Sequence, residues 1–144
     1  MRVLITTAFI ATMLAAGCTT AQGVIHGRTV ELHQETATDG ETLDAFVVRI
    51  APRALQASKA ARATVCGQVE QVAGRHTVQL KTDGYVSDCG LPQSGLPYLL
   101  VNGTAMDARE NHFSLANRDR PGYLVTPWSV KYQDASGVRT VSSF

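Results

Sequence analysis

The apolar residues change their period at Thr64, and that change limits what the chain can become. Upstream of it, Leu43, Phe46, Val47, Ile50 and Ala54 fall on one face at helical spacing. Downstream, residues 64–72 and 76–82 alternate with period two; in the second run His76, Val78 and Leu80 lie on one side and Thr77, Gln79 and Lys81 on the other. A chain read once as helix and then repeatedly as strand points to an α+β domain: a mostly antiparallel sheet with an N-terminal helix packed on it.

Local signals place the elements. Asp39 is a suitable N-cap, and Glu41 sits where the first turn of the helix favours an anion. Pro52 predicts a kink or break near Ile50, with a second helical stretch over residues 53–61. Ala73-Gly74-Arg75 joins the two alternating runs as a hairpin connection. Residues 83–97, rich in Asp, Gly, Ser and Pro, read as a long irregular connection, and residues 98–101 as a short buried strand. Residues 102–121 form a polar loop long enough to suggest a function. Residues 123–126, 128–132 and 138–141 read as three further strands, the last two joined through Asp134-Ala135-Ser136-Gly137. Trp128 and Tyr132, four apart, share a strand face, either as core or as an exposed aromatic patch. A short alternating run at 28–33 stands before the helix.

Residues 1–17 have the form of a signal peptide: one positive residue, Arg2, then an uncharged stretch, then small residues before Cys18. The string Leu14-Ala15-Ala16-Gly17-Cys18 resembles the lipobox of bacterial lipoproteins. That resemblance implies cleavage before Cys18, a diacylglyceryl thioether and an acylated amino group on it, and stable anchoring by more than one chain. Thr19 stands where the inner-membrane retention signal would place an aspartate, which implies the periplasmic face of the outer membrane. The chain then divides into the signal peptide at 1–17, a lipidated cysteine and tether at 18–38, and a single domain at 39–144. Losing Arg2 leaves 12 basic side chains against 12 acidic ones, with no basic stripe, so a nucleic-acid partner is not expected. With Cys18 lipidated, Cys66 and Cys89 remain as a pair in an oxidising compartment. A disulfide between them would add about 3 kcal/mol on a chain-entropy estimate.

Several segments together resemble the bacterial branch of the JAB/MPN (JAMM) metalloprotease family. They are residues 45–55 in the helix, Val65-Cys66-Gly67, Phe113-Ser114 and Gly122 to Pro127. Active members carry a glutamate before the Cys-Gly, an H-x-H pair after the central strand and S-x-x-D beyond it; the histidines and the aspartate bind zinc and the glutamate moves protons. Here Thr64 stands for the glutamate, Val101 and Gly103 for the histidines and Asn117 for the aspartate, leaving Ser114 alone. Valine and glycine offer no side-chain donor, so the resemblance implies a pseudoenzyme without metal or cofactor. Asp107, Glu110, His112 and Asp119 share the polar loop and are candidates for relocated ligands, although a solvated charged loop is the simpler account. His26 and His33 are expected at the surface and His76 on a strand face. No G-x-S-x-G elbow, P-loop or H-E-x-x-H is present.

The favoured function is a lipid-anchored periplasmic binding protein built on a catalytically dead domain, suited to be an immunity protein or an inhibitor of an envelope-targeted toxin or cell-wall hydrolase. Its partner-binding residues are expected in the long loop: Asp107, Arg109, Glu110, His112, Arg118 and Arg120. The alternatives are an active metal-dependent peptidase or amidase with relocated ligands and a structural lipoprotein of a secretion or conjugation assembly.

Overall fold

The computed structural model describes residues 28–84, 94–114 and 117–144. Its elements run in the order β1 (Val30–Thr36), α1 (Leu43–Ala61), β2 (Val65–Val72), β3 (Arg75–Thr82), β4 (Tyr98–Val101), a 3-10 turn at Ala108–Glu110, β5 (Gly122–Val125), β6 (Ser129–Asp134) and β7 (Gly137–Ser143). The strands form one sheet in the order β1-β3-β2-β4-β5-β6-β7. Every neighbouring pair is antiparallel except β4 and β5, which run parallel. The α+β class and the mostly antiparallel sheet expected from the period change are therefore what the chain adopts.

Alternation along the strands sorts side chains between two faces. Val65, Val69, Val78, Leu80, Leu99, Val101, Tyr123, Val125 and Val130 face α1, which buries Phe46, Val47, Ile50, Ala51 and Ala54 against them. The opposite face carries Cys66, Tyr98, Leu100 and Leu124, with Phe113 of the long loop laid over them. As the alternation predicts, Val78 and Leu80 are in the core, and the ring of His76 stacks on Phe46 at 6.4 Å.

The helix differs from its sequence reading in two respects. Its N-cap is Thr42, whose hydroxyl accepts from Ala45 N at 3.3 Å, and not Asp39. Asp39 belongs instead to a preceding turn in which Glu41 accepts from Thr38 N at 2.9 Å. The helix also runs unbroken through Pro52. An exposed proline removes one hydrogen bond, and the buried stripe on both sides of it holds the two halves in one helix. The hairpin is tighter than expected: Val72 pairs with Arg75, so Arg75 belongs to β3 and the turn is Ala73-Gly74, both at positive φ (50° and 77°), the backbone that matches strand twist.

β1 lies within residues 18–38, the stretch read as a tether, and its pairing with β3 makes it the edge of the sheet. Its docking explains why a short, weakly patterned run is ordered. Arg49 on α1 grips the Glu41 carboxylate through two bonds of 2.8 and 2.9 Å and donates to the Thr36 carbonyl at 3.0 Å, tying the end of β1 to the helix. His33, expected at the surface, is partly buried beside Glu35 at 3.2 Å. At the other edge of the sheet, Asp44 accepts from Tyr123 Oη at 2.6 Å and pairs with both guanidinium nitrogens of Arg139 on β7 at 2.9 Å.

These two carboxylates contribute to the acid limit of the fold. The Arg49 hydrogen bonds hold Glu41 down to about 2 from 4.5, and the Arg139 bond lowers Asp44. A carboxylate depressed in the folded state adds stability that is fully present above its unfolded pKa and is lost as pH falls through the folded value. The urea midpoint should therefore fall steadily from about pH 5 toward pH 2. The fall should be shallower in Glu41→Gln, as equilibrium unfolding followed by circular dichroism would show.

Candidate functional site

Because β4 and β5 are parallel neighbours, the chain must cross from the end of one strand back to the start of the other, and residues 102–121 make that crossing. Two polar anchors hold it to the sheet face opposite α1. At the first, Asn111 Oδ1 accepts from Thr126 Oγ1 at 2.9 Å and its carbonyl accepts from Lys131 Nζ at 2.6 Å. At the second, Gln133 of β6, 1% exposed, directs Nε2 at Tyr98 Oη (2.8 Å), the Arg120 carbonyl (3.1 Å) and the Asn117 carbonyl.

Tyr98 reaches Gln133 because Gly122, its register partner on β5, has no side chain. A Cβ there would lie 2.4 Å from the ring. Arg120 closes the arrangement with its guanidinium 5.2 Å from the Tyr98 ring centre. Burial pushes the Tyr98 phenol up to about 12, so it stays neutral. Arg120, expected to meet a partner, thus packs on Tyr98 and donates to Asn117 Oδ1 at 3.1 Å.

Of the other loop residues, Asp107 and Glu110 are turned inward on the loop itself. Asp107 accepts from Arg109 N at 2.7 Å and from its guanidinium at 2.9 Å, which lowers its pKa, and Glu110 accepts from Met106 N at 3.1 Å. Arg109, His112 and Arg118 are presented to solvent. Between the loop and β6-β7 lies a cavity of about 220 Å³, lined by His112, Phe113, Ser114, Arg118, Lys131, Gln133 and Val138. The sequence reading had His112, Ser114 and Arg118 among its candidates but missed the strand residues. The available signal was Lys131 and Gln133 two apart on a strand whose intervening Tyr132 turns to the core.

The positions that the resemblance sets against metal-site residues are occupied by residues with structural work. Val101 is wholly buried between Val65 and Val125, and Thr64, 4% exposed, accepts from Thr82 Oγ1 through its carbonyl at 2.7 Å. Gly103 N donates to Ser58 Oγ of α1 at 2.9 Å, an approach so close that a Cβ would sit 2.5 Å from the Leu55 carbonyl. Ser114 and Asn117, joined by a 3.1 Å bond, lie instead toward the Tyr98 end of β4, through the Asn117 contact with Gln133. Val101 stands three positions from that end, a distance of about 10 Å along the strand. The structure therefore brings Thr64, Val101 and Gly103 together and leaves the other two apart. Among the described residues no three His, Cys, Asp or Glu side chains converge on a possible metal site, so Asp107, Glu110, His112 and Asp119 do not form a ligand set there. Cys66 is wholly buried on β2, while Cys18, His26 and Cys89 lie outside the described residues.

Compared with protein-family models, curated proteins and solved structures, the chain matches none.

Two substitutions test these assignments. Gly122→Ala should destabilise by about 1 to 3 kcal/mol, because a methyl group displaces the Tyr98 ring from Gln133, and denaturant unfolding will measure it. The double replacement Val101→His with Gly103→His should lower the melting temperature and acquire no zinc, as calorimetry and metal analysis of the purified protein would show.

Proposed function

We propose that this protein is a lipid-anchored, non-catalytic binding protein of the bacterial envelope. In it a domain of the JAB/MPN kind has exchanged a metal site for structural residues, and the loop at 102–121 recognises a periplasmic protein. The observation that carries the reading is the loop itself. It is pinned to the sheet by the half-buried amide of Asn111 and the buried amide of Gln133, yet it holds Arg109, His112 and Arg118 in solvent. Rigid presentation lowers the entropy lost on association, which is how loops on a sheet become recognition surfaces.

The non-catalytic part rests on Val101 and Gly103, which pack where donors would be needed. The family part rests on the segments quoted from the sequence and on the order helix, hairpin, buried strand, polar crossover and Gly-Tyr-Leu-Val strand. The anchor rests on the lipobox string before Cys18, with Cys66 and Cys89 proposed to be joined in the oxidising periplasm. Among the described residues no helix is long and apolar enough to cross a membrane. A small lipoprotein of this design suits an immunity protein or an inhibitor of a toxin or cell-wall hydrolase that reaches the envelope.

The test is capture from envelope extracts of the producing strain and its competitors, with the full-length chain in detergent as bait and mass spectrometry of what is retained. A stoichiometric hydrolase or toxin is expected. Alanine at Arg109, Glu110, His112 and Arg118 together should weaken that capture at least tenfold without lowering the melting temperature. Unchanged capture by the quadruple variant would move the interface elsewhere.

A further inference from the structure

The cavity under the loop has a chemistry of its own. Its cations are Arg118 and Lys131, and neither has a carboxylate partner among the described residues. Lys131 gives one bond, to the Asn111 carbonyl, and an ammonium has three donors. Among the described residues no Asp or Glu lines the cavity. Two apolar side chains form walls: Phe113, fixed edge-on to Tyr98 at 6.5 Å, and Val138, which is 59% exposed. The floor is Gln133, whose nitrogen is committed to Tyr98 and two backbone carbonyls, which leaves its oxygen as the acceptor.

A ligand that fits this set carries an anion, a donor next to it and a small apolar group. The cavity, at about 220 Å³, is smaller than sites that enclose whole drug-sized ligands, so it suits the end of a chain. We propose that it binds the free carboxyl terminus of a peptide. The carboxylate would lie against Arg118 and Lys131, the last peptide N–H would reach the Gln133 oxygen, and a small final side chain would rest between Phe113 and Val138. This deepens the proposed function, since it rests on the same loop being a recognition surface. The same chemistry is offered by the C-terminus of a protein partner and by the stem peptide of the cell wall.

Acetyl-Ala-Ala is the probe, in the L,L and D,D forms, each as free acid and as carboxamide, titrated by calorimetry into the full-length chain in detergent. At least one free acid should bind, its carboxamide about tenfold or more weaker; Arg118→Ala should lose a similar factor at unchanged melting temperature, and Lys131→Met a similar factor with a small fall in melting temperature from the lost Asn111 bond. Amide resonances of Phe113 and Val138 should shift on binding. A preference for the L,L acid assigns the site to a protein terminus, and a preference for the D,D acid assigns it to a cell-wall stem. Equal binding of acid and carboxamide, undiminished binding by the Arg118→Ala, Lys131→Met double variant, or no binding at millimolar acid would overturn the proposal. If the acids fail while the quadruple alanine variant still weakens capture of a partner, this inference falls and the proposed function stands. If the acids bind and no partner is captured, the reverse holds.

Discussion

The parallel pairing of β4 with β5 is the constraint on which the rest of this domain depends. Antiparallel neighbours can be joined by a two-residue turn, as β2 and β3 are at Ala73-Gly74, but parallel neighbours demand a crossover of a dozen residues or more. That single pairing in an otherwise antiparallel sheet makes the loop at 102–121 an obligatory part of the fold. It also decides that one face of the sheet is covered by α1 and part of the other by a polar segment.

A polar crossover laid on an apolar strand face must satisfy its own backbone, because each buried carbonyl left without a donor costs about as much as a lost hydrogen bond. Gln133 meets that need for two carbonyls at once and also takes the Tyr98 hydroxyl. Midway along the loop, Lys131 satisfies the Asn111 carbonyl, and the Asn111 amide bonds the Thr126 and Ser129 hydroxyls. The glycine at 122 is the companion of this solution, since only a missing side chain lets the Tyr98 ring pass over β5. With the backbone satisfied inward, Arg109, His112 and Arg118 of the loop are left to face solvent and the cavity.

The helix side follows a different logic. Its apolar stripe makes the main core, and two arginine-carboxylate pairs lock the rims: Arg49 with Glu41 beside β1, and Arg139 with Asp44 beside β7. Both acids stand at or near the start of α1, so the N-terminal turn of the helix is where both sheet edges are secured. Ser58 near the opposite end receives Gly103 N, which draws the exit of β4 against the helix. Backbone therefore fills the space between Gly103 and the helix.

Period and turn chemistry in the sequence alone determined the one helix, the β2-β3 hairpin, the burial of residues 98–101, the three closing strands and the α+β class, because each depends on neighbours a few residues apart. The exposed charges of the loop were legible for the same reason. The unbroken passage of α1 through Pro52 was not, since burial on both sides of the proline outweighs one lost bond. The pairing of β1 was not legible either, because a weak seven-residue strand is stabilised by Arg49 and β3 from elsewhere in the chain. Only the tertiary structure decided that Arg120 packs on Tyr98, that Ser114 and Asn117 stand apart from Val101 and Gly103, and that Lys131, Gln133 and Val138 meet the loop in one cavity. All of these are consequences of strand order. Strand order is set by which apolar faces bury one another across the sheet, and no local spacing encodes it.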